Sequence, residues 1–240
     1  MDPARIEQFA WTNAGFLRGP IRGVILEFPG LGATGMKGEG PNATELEWGQ
    51  AGGLTVVPFQ DPWGWMNPQT AAFMDELVDA IFARYALAPE TPIIATGCSM
   101  GGFSALLYPL VGRHKVVAVV ANCPATDLPF HYTERPDLPR TLHHAFGSYG
   151  DITDALLAHS PQHQVHRLPD VPYLIIQGDQ DALVDKARHS DTLVPKMRER
   201  GLSVEYREQA GMGHCGPLDW TLHRLWADFV LGHLATVQRP

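Results

Sequence analysis

The alternation of short apolar runs with longer helix-like segments constrains the fold of this chain most. Six runs have the length of strands and most are nearly continuous in apolar residues, as strands covered on both faces should be: 24–28, 54–59, 92–96, 116–122, 172–177 and 203–208. Helical patterns lie between them at 69–86, 100–111, 186–200 and 218–231. This order predicts an α/β fold with a mostly parallel central sheet and helices on both faces.

The region 124–169 breaks this alternation. It is rich in proline and histidine and contains no convincing strand pattern. A compact lid or cap inserted after the fourth strand explains the region better than a second domain does. We therefore predict one α/β domain over residues 1–240, with a lid at about 124–169.

The charge balance excludes some classes of partner. The net charge is −8 at pH 7, so no basic field is available to neutralise the phosphates of nucleic acid or of an acidic membrane surface. The longest apolar runs have the length of strands and are too short to span a bilayer. A small molecule is therefore the expected partner, and the sequence is also compatible with a homo-oligomer.

The termini and the cysteines indicate the compartment. The first twenty residues lack a basic start followed by an apolar stretch, so we expect no signal peptide. Three cysteines, Cys98, Cys123 and Cys215, cannot all pair with one another, and their spacing fits no zinc site. We expect a reduced, cytoplasmic setting, with no metal and no cofactor.

A glycine-rich turn is the strongest local signal in the sequence. Directly after the apolar run 92–96 and before a helical pattern stands Gly97-Cys98-Ser99-Met100-Gly101-Gly102. This matches G-x-S-x-G, in which a serine occupies a strained strand-to-helix turn that only glycine neighbours allow. We predict that Ser99 is a nucleophile, and that Cys98, in the inward-pointing position, is a small core residue.

A serine hydroxyl needs a base, and that base needs an orienting carboxylate. Asp181 lies three residues after Gly178, in the loop that follows the fifth predicted strand, and is the expected acid. Its rivals are Asp179 and Asp185, which more often form turns or cap helices in such loops, and the more remote Asp127.

One of the eleven histidines is the expected base. His214 stands in Gly211-Met212-Gly213-His214-Cys215-Gly216, between the last strand and the final helix, where the glycines let the loop fold back over the sheet edge. The chain order Ser99, Asp181, His214 is the order of α/β-hydrolase triads. The other histidines singled out, His143, His144, His159, His163 and His166, are expected to be polar lid or surface residues.

Acyl transfer also needs two backbone N–H donors for the developing oxyanion. Met100, after the nucleophile, is one candidate, and Leu31, in the loop after the first long strand, is the other. The same loop also reads as a dinucleotide fingerprint from Gly30 to Gly35, with Asp61 as the ribose acid. The residues that follow Gly35 do not favour the helix that this alternative requires.

A loop rich in tryptophan follows the second predicted strand. Ligands bind at the carboxyl edge of open α/β sheets, so Trp63, Trp65 and Met66 could line a substrate pocket there. The equally weighted alternative is that the tryptophans anchor a proline-rich loop to the core.

From about residue 24 onward, the chain resembles the catalytic domain of prolyl oligopeptidase-like α/β-hydrolases and their single-domain esterase relatives. The resemblance rests on the turn around Ser99, on Ser160-Pro161, on Gln177-Gly178-Asp179-Gln180-Asp181-Ala182-Leu183-Val184, and on Gly213-His214. It implies an α/β-hydrolase fold and a serine hydrolase with a Ser-His-Asp triad.

Two departures from that family bear on the substrate. The 240 residues leave no room for the β-propeller of its peptidases, and Pro29 stands where they often place a tyrosine or histidine. We therefore expect a carboxylesterase that acts through an acyl-serine intermediate. A small peptidase or amidase with the same triad is the alternative.

Overall fold

Seven strands form one sheet in the computed structural model, which describes residues 1–37 and 40–235. The strands are β1 (Ala10–Thr12), β2 (Gly23–Phe28), β3 (Gly53–Pro58), β4 (Ile93–Cys98), β5 (Val116–Asn122), β6 (Tyr173–Gly178) and β7 (Val204–Gln209). Their order in the sheet is β1-β3-β2-β4-β5-β6-β7. All neighbours pair in parallel except β1, which pairs antiparallel with β3.

Eight α-helices connect and cover the described strands. They are α1 (Ala43–Gln50), α2 (Pro68–Arg84), α3 (Met100–Val111), α4 (Leu128–Glu134), α5 (Leu138–Phe146), α6 (Ile152–Ala158), α7 (Ser190–Glu199) and α8 (Trp220–Gly232). Helices α2, α3 and α7 contribute to one apolar core, and α1 and α8 to the core on the opposite face of the sheet. The predicted mostly parallel sheet with helices on both faces is confirmed.

The inner strands β2 to β6 are buried on both faces because their apolar side chains alternate between the two cores. In β2, Val24 and Leu26 face the core of α2 and α3, while Ile25 faces the core of α1 and α8. All three side chains are fully buried. This two-sided burial explains why the strands read as continuous apolar runs in the sequence.

The sequence did not predict strand β1 or the helices α1 and α4 to α6. Strand β1 is three residues long, which is too short for an alternating pattern to be visible. Helix α1 begins with a capping box, in which Asn42 accepts from the Glu45 N–H and the Glu45 side chain accepts from the Asn42 N–H. The spacing of Asn42 and Glu45, three residues apart, is typical of a capping box and indicates a helix start here, although the apolar pattern does not.

The region predicted as a lid connects β5 to β6 and contains α4, α5 and α6. Its apolar side chains join the core on the α2 and α3 face, and Leu138, Leu142 and Phe146 are fully buried there. The segment is thus packed onto the domain through its own apolar face. No helix in the described part of the chain has both the length and the apolar character needed to cross a membrane.

The parallel strands bring their carboxyl ends to one edge of the sheet. Ser99 follows β4 directly, Asp181 lies three residues after β6, and His214 lies five residues after β7. Leu31 follows β2 at the same edge. The topology therefore collects residues that are distant in sequence at one place.

Close packing of α3 on β2 should make Gly101 intolerant of a side chain. A Cβ at Gly101 would collide with the carbonyl oxygen of Phe28, which is backbone and cannot swing away. We expect Gly101→Ala to lower the free energy of unfolding by about 1–3 kcal/mol, the usual cost of overpacking. The measurement is urea unfolding followed by circular dichroism.

Gly232→Ala is the matched control, because Gly232 also lies in a helix but a Cβ there meets nothing within 4 Å. Its stability should stay close to that of the wild type. Equal stability of wild type and Gly101→Ala would contradict the tight contact between α3 and β2.

Candidate active site

Ser99 occupies a strained turn between β4 and α3. Its backbone has φ 57° and ψ −124°, a conformation that side-chain-bearing residues rarely adopt. The Ser99 N–H donates to the carbonyl of Asn122 at 2.9 Å, which ties the turn to the end of β5. A Cβ at Gly97 would collide with the backbone of Gly101, so glycine is required beside this serine.

His214 connects Ser99 with Asp181 through its two ring nitrogens. Nε2 lies 2.8 Å from Ser99 Oγ, and Nδ1 lies 2.8 Å from Asp181 Oδ2. An ionised carboxylate only accepts hydrogen bonds, so Nδ1 donates to Asp181 and Nε2 accepts from the serine hydroxyl. The structure thus brings the three predicted residues into one hydrogen-bonded row.

Asp181 is buried and held from several sides. Its side chain has no exposed surface, Oδ1 accepts from the N–H groups of Leu183 and Val184 at 3.0 Å, and Oδ2 accepts from Gln177 Nε2 at 3.0 Å. Burial raises the pKa of Asp181, but the hydrogen bonds from His214 and the two backbone N–H groups outweigh it and lower the pKa overall. The carboxyl group therefore stays ionised.

The rival carboxylates have other partners. Asp179 accepts from the Gly211 N–H at 2.6 Å, and Asp185 accepts from the Ala187 N–H at 3.0 Å. Asp127 caps α4 by accepting from the Phe130 N–H and also contacts His163. Asp185 and Asp127 stabilise a local turn and a helix end, Asp179 joins the loop after β6 to the loop after β7, and none of these contacts involves His214.

The two predicted oxyanion donors lie next to Ser99. Met100 is the first residue of α3, where a backbone N–H has no acceptor within the helix. In the β2 loop, Gly32 N–H donates to Pro62 O and Ala33 N–H donates to Gly30 O, and Leu31 N–H takes part in neither bond. Leu31 and Ser99 line the same cavity.

That cavity has a volume of about 310 Å³ and opens above Ser99. Its walls come from the loops after β2, β3, β6 and β7 and from α4, and its lining residues include Gly30, Leu31, Trp65, His131, Arg135, Leu183, Val184, His214 and Cys215. Cys98 also lines it and is half-buried, so the expectation that Cys98 is a core residue needs correction.

The three residues of the tryptophan loop separate in the structure. Trp65 lines the cavity and its Nε1 donates to Thr141 Oγ1 at 3.1 Å. Met66 is fully buried in the core, and Trp63 packs edge-on against His144 and under the Arg140 guanidinium, 4.6 Å from its ring centroid. The structure therefore places Trp65 at the cavity and does not bring Trp63 or Met66 to its walls.

The β2 loop lacks the geometry of a dinucleotide site. In the described residues after Gly35, no helix begins before Ala43, so the loop does not lead into the helix that the fingerprint requires. Asp61 is engaged by His144 Nε2 at 2.6 Å and by the Trp63 N–H at 2.9 Å.

Comparison with known proteins decides the family. A sequence model described as the prolyl oligopeptidase family matches residues 68–235, which is more than half of the chain and includes Ser99, Asp181 and His214. The chain belongs to the prolyl oligopeptidase family. This confirms the resemblance predicted from the motifs and makes the chain a member of a serine hydrolase family. Among curated proteins, no sequence match is found.

Solved structures similar to this family member are α/β-hydrolases. An acylaminoacyl peptidase in complex with Z-Gly-Gly-Phe-chloromethyl ketone has a TM-score of 0.71 at 16% identity, over 93% of this chain and 39% of the peptidase. Esterase PE8 has a TM-score of 0.60 at 18% identity, over 90% of this chain and 94% of the esterase. An S-formylglutathione hydrolase from Agrobacterium tumefaciens has a TM-score of 0.70 at 14% identity, over 90% of this chain and 86% of that protein.

These likenesses confirm the predicted α/β-hydrolase fold. The chain spans only 39% of the length of the acylaminoacyl peptidase, whereas it spans most of the esterase and of the S-formylglutathione hydrolase.

Two polar residues of α4, His131 and Glu134, lie at the cavity or next to it, and they were not predicted from the sequence. His131 lines the cavity, and its Nδ1 lies 2.6 Å from Glu134 Oε2. Burial lowers the pKa of His131, so the ring is held neutral. The spacing of His131 and Glu134, three residues apart on one helix, was the available signal.

Glu134 connects α4 with the loop that follows β6. Its Oε2 also lies 3.1 Å from Nε2 of the fully buried His189, and its Oε1 accepts from the Asp185 N–H at 2.5 Å. His189 Nδ1 accepts from the Thr126 N–H at 2.9 Å, so its Nε2 is the nitrogen that donates to Glu134.

Two groups of described residues place three potential metal ligands within 4.8 Å of one another. One is His131, Glu134 and His189, whose facing atoms are already satisfied by the hydrogen bonds above. The other is Cys123, His214 and Cys215, and it includes the histidine that contacts Ser99 and Asp181.

The hydrogen bonds to Glu134 should make it important for stability at neutral pH. Burial raises the pKa of Glu134, but the bonds from His131, His189 and the Asp185 N–H hold it far below its usual value. A depressed carboxyl pKa contributes stability above the unfolded value of about 4.3 and loses it as the pH falls toward the folded value. We expect Glu134→Gln to cost about 1–3 kcal/mol at pH 7, because the amide N–H₂ faces donors.

The difference between wild type and Glu134→Gln should narrow as the pH is lowered below about 4.3, measured as urea midpoints across a pH series. The exposed Glu199, changed to glutamine, is the control and should leave the pH profile unchanged. If the difference in urea midpoint between wild type and Glu134→Gln stayed constant with pH, the charge of Glu134 would not stabilise the contact between α4 and the loop after β6.

Proposed function

We propose that this prolyl oligopeptidase-family protein hydrolyses carboxylic esters through an acyl-serine intermediate on Ser99. The observation that carries the proposal is the row Asp181, His214 and Ser99, with both contacts at 2.8 Å, ending on a strained serine at the floor of a cavity. A nucleophile, a base and an orienting acid within hydrogen-bond reach are the arrangement that activates a serine hydroxyl.

The proposed reaction has two halves. Ser99 Oγ attacks the ester carbonyl while His214 Nε2 takes its proton, and Asp181 holds the resulting imidazolium. The N–H groups of Leu31 and Met100 stabilise the oxyanion, and His214 returns the proton to the leaving alcohol. Water, deprotonated by His214, then attacks the acyl-serine. The bond to Ser99 Oγ breaks, His214 returns the proton to Ser99 Oγ, and the carboxylic acid is released.

The cavity supports a small ester as substrate. Its volume of about 310 Å³ lies at the lower end of ligand pockets, and the Trp65 ring supplies an apolar wall. The charged groups beside it are already engaged: Glu134 by His131 and His189, and Arg135 by a two-point pair with Asp137 at 3.0 and 2.7 Å. This favours a neutral substrate over one with a charged anchor.

A peptidase or amidase with the same residues is the second candidate. It is favoured by the family match and by the TM-score of 0.71 to the acylaminoacyl peptidase. The ester reading is favoured by the esterase and the S-formylglutathione hydrolase, which the chain matches over most of their length. Both candidates use the same nucleophile, so they differ in leaving group only.

Fluorophosphonate labelling tests the nucleophile. The probe phosphonylates an activated serine, so we expect one label per wild-type chain, mapped by mass spectrometry to Ser99. Ser99→Ala should abolish labelling and reduce turnover about 10⁴-fold or more. Ser104→Ala, a serine on the same helix with a buried hydroxyl, is the control and should be labelled normally. A label that persists in Ser99→Ala would refute the assignment.

The orienting acid is tested by two neighbouring carboxylates. Asp181→Asn should lower kcat about 10⁴-fold, because the amide cannot hold His214 in the correct tautomer. Asp179→Asn should cost far less, since Asp179 bonds the Gly211 N–H. Similar losses of kcat in both variants, measured with one ester, would argue against Asp181.

The leaving group is tested by comparing substrates. We expect short-chain nitrophenyl esters to be cleaved with much higher kcat/KM than proline nitroanilides, because nitrophenolate can leave as a stabilised anion whereas the anilide nitrogen must first be protonated. The control is the fluorophosphonate-inactivated enzyme, which should cleave neither. Comparable kcat/KM values for the two classes would favour the peptidase.

A further inference from the structure

Two thiols lie beside the ring of His214. Cys215 Sγ is 3.8 Å from His214 Nε2, and the Cys215 N–H donates to Cys123 Sγ at 3.4 Å. The ligand atoms of Cys123, Cys215 and His214 all lie within 4.8 Å of one another. Cys98 Sγ, which accepts from Asn122 Nδ2 at 3.5 Å, falls outside this set.

The spacing fits a tetrahedral cation with sulfur and nitrogen ligands. Zinc takes thiolate sulfur at about 2.3 Å and imidazole nitrogen at about 2.0–2.1 Å, which places neighbouring ligand atoms roughly 3.5–3.8 Å apart. The observed 3.8 Å between Cys215 Sγ and His214 Nε2 matches that separation. The other ligand-atom separations lie within 4.8 Å, so side-chain movements of up to about 1 Å would bring them to zinc-binding distances.

The backbone and the surroundings of His214 also suit a metal. Cys123 and Cys215 both have left-handed backbone conformations, with φ 46° and 50°, so their positions are held by the surrounding fold. His214 Nδ1 already bonds a buried carboxylate, Asp181. A carboxylate on the far nitrogen is the usual support of a metal-bound histidine.

The site is reachable from two sides. Cys215 lines the cavity above Ser99 and also a second pocket of about 240 Å³ on the other side of the thiols, whose apolar walls include Trp48 and Trp226. Cys123 is fully buried behind Cys215. A cation can therefore reach the Cys215 thiol from either pocket, with Cys123 directly behind it.

We propose that Cys123, Cys215 and His214 bind a soft divalent cation of the zinc class, and that this cation inhibits the hydrolase. Binding replaces the two thiol protons, which pass to solvent, and places the lone pair of His214 Nε2 on the cation. The histidine can then no longer accept the proton of Ser99. The inhibitory part of the proposal rests on the proposed role of His214, whereas the binding part does not.

Cadmium binding tests the site independently of activity. Titration with Cd²⁺ should produce the ultraviolet sulfur-to-cadmium charge-transfer band with one equivalent per chain. The band should be lost or strongly reduced in Cys123→Ala and in the conservative Cys215→Ser, and retained in Cys98→Ala and Ser99→Ala. Circular dichroism checks that each variant is folded. If Cys123→Ala does not fold, the comparison of Cys215→Ser with the wild type decides the test. A band that survives in Cys215→Ser, or that requires Cys98, would overturn the proposal.

Zinc titration of ester hydrolysis tests the consequence. Zn²⁺ should inhibit the wild type reversibly, with activity restored by a chelator. In Cys215→Ser the concentration for half inhibition should rise about tenfold or more, as expected when a ligand is lost. Cadmium binding without any inhibition would overturn the assignment of His214 as a ligand. If the metal-free enzyme had no esterase activity at all, the proposed function would be refuted. The cadmium titration would then still decide whether the metal site exists.

Discussion

The turn between β4 and α3 is the constraint on which the rest of the site depends. Ser99 can adopt its left-handed conformation only because Gly97 and Gly101 let the strand, the helix and the end of β2 approach each other without side chains between them. The same approach places the N-terminus of α3 beside the loop of Leu31. The position of the hydroxyl and the position of the candidate oxyanion donors therefore follow from one packing contact.

The parallel sheet supplies the second requirement, which is convergence. Asp181 and His214 come from loops after β6 and β7, neighbours at one end of the sheet, and reach toward Ser99 at the end of β4. Buried hydrogen bonds then remove the freedom of the carboxylate, since Asp181 is held by Gln177 and by two backbone N–H groups. A side chain with all its oxygens engaged holds the histidine in one orientation.

Helix α4, in the segment between β5 and β6, adds polar groups to the cavity wall. Glu134 joins α4 to the buried His189 and to the backbone of the loop after β6, and so fixes His131 above Ser99. On the opposite side of the cavity, the thiols of Cys98 and Cys215 separate it from a second pocket. His214 thus lies between the Asp181 carboxylate, the Ser99 hydroxyl and the thiols of Cys123 and Cys215.

Local pattern sufficed to predict the strands β2 to β7 and the helices α2, α3, α7 and α8, because buried strands and amphipathic helices leave their signature within a few residues. The glycine-flanked turns and the chain order also pointed to Ser99, Asp181 and His214, whose side chains the structure brings into contact. The three-residue β1 and the helices α1 and α4 to α6 were missed, since short elements depend on capping and packing more than on periodicity. Tertiary packing decided which residue of the tryptophan loop borders the cavity. It buried both Trp65 and Met66, left Trp65 at the cavity wall and placed Trp63 against His144. The same holds for Glu134 with His189 and for Cys123 with Cys215, because helix docking and the convergence of separate loops set their distances and no spacing along the chain records them.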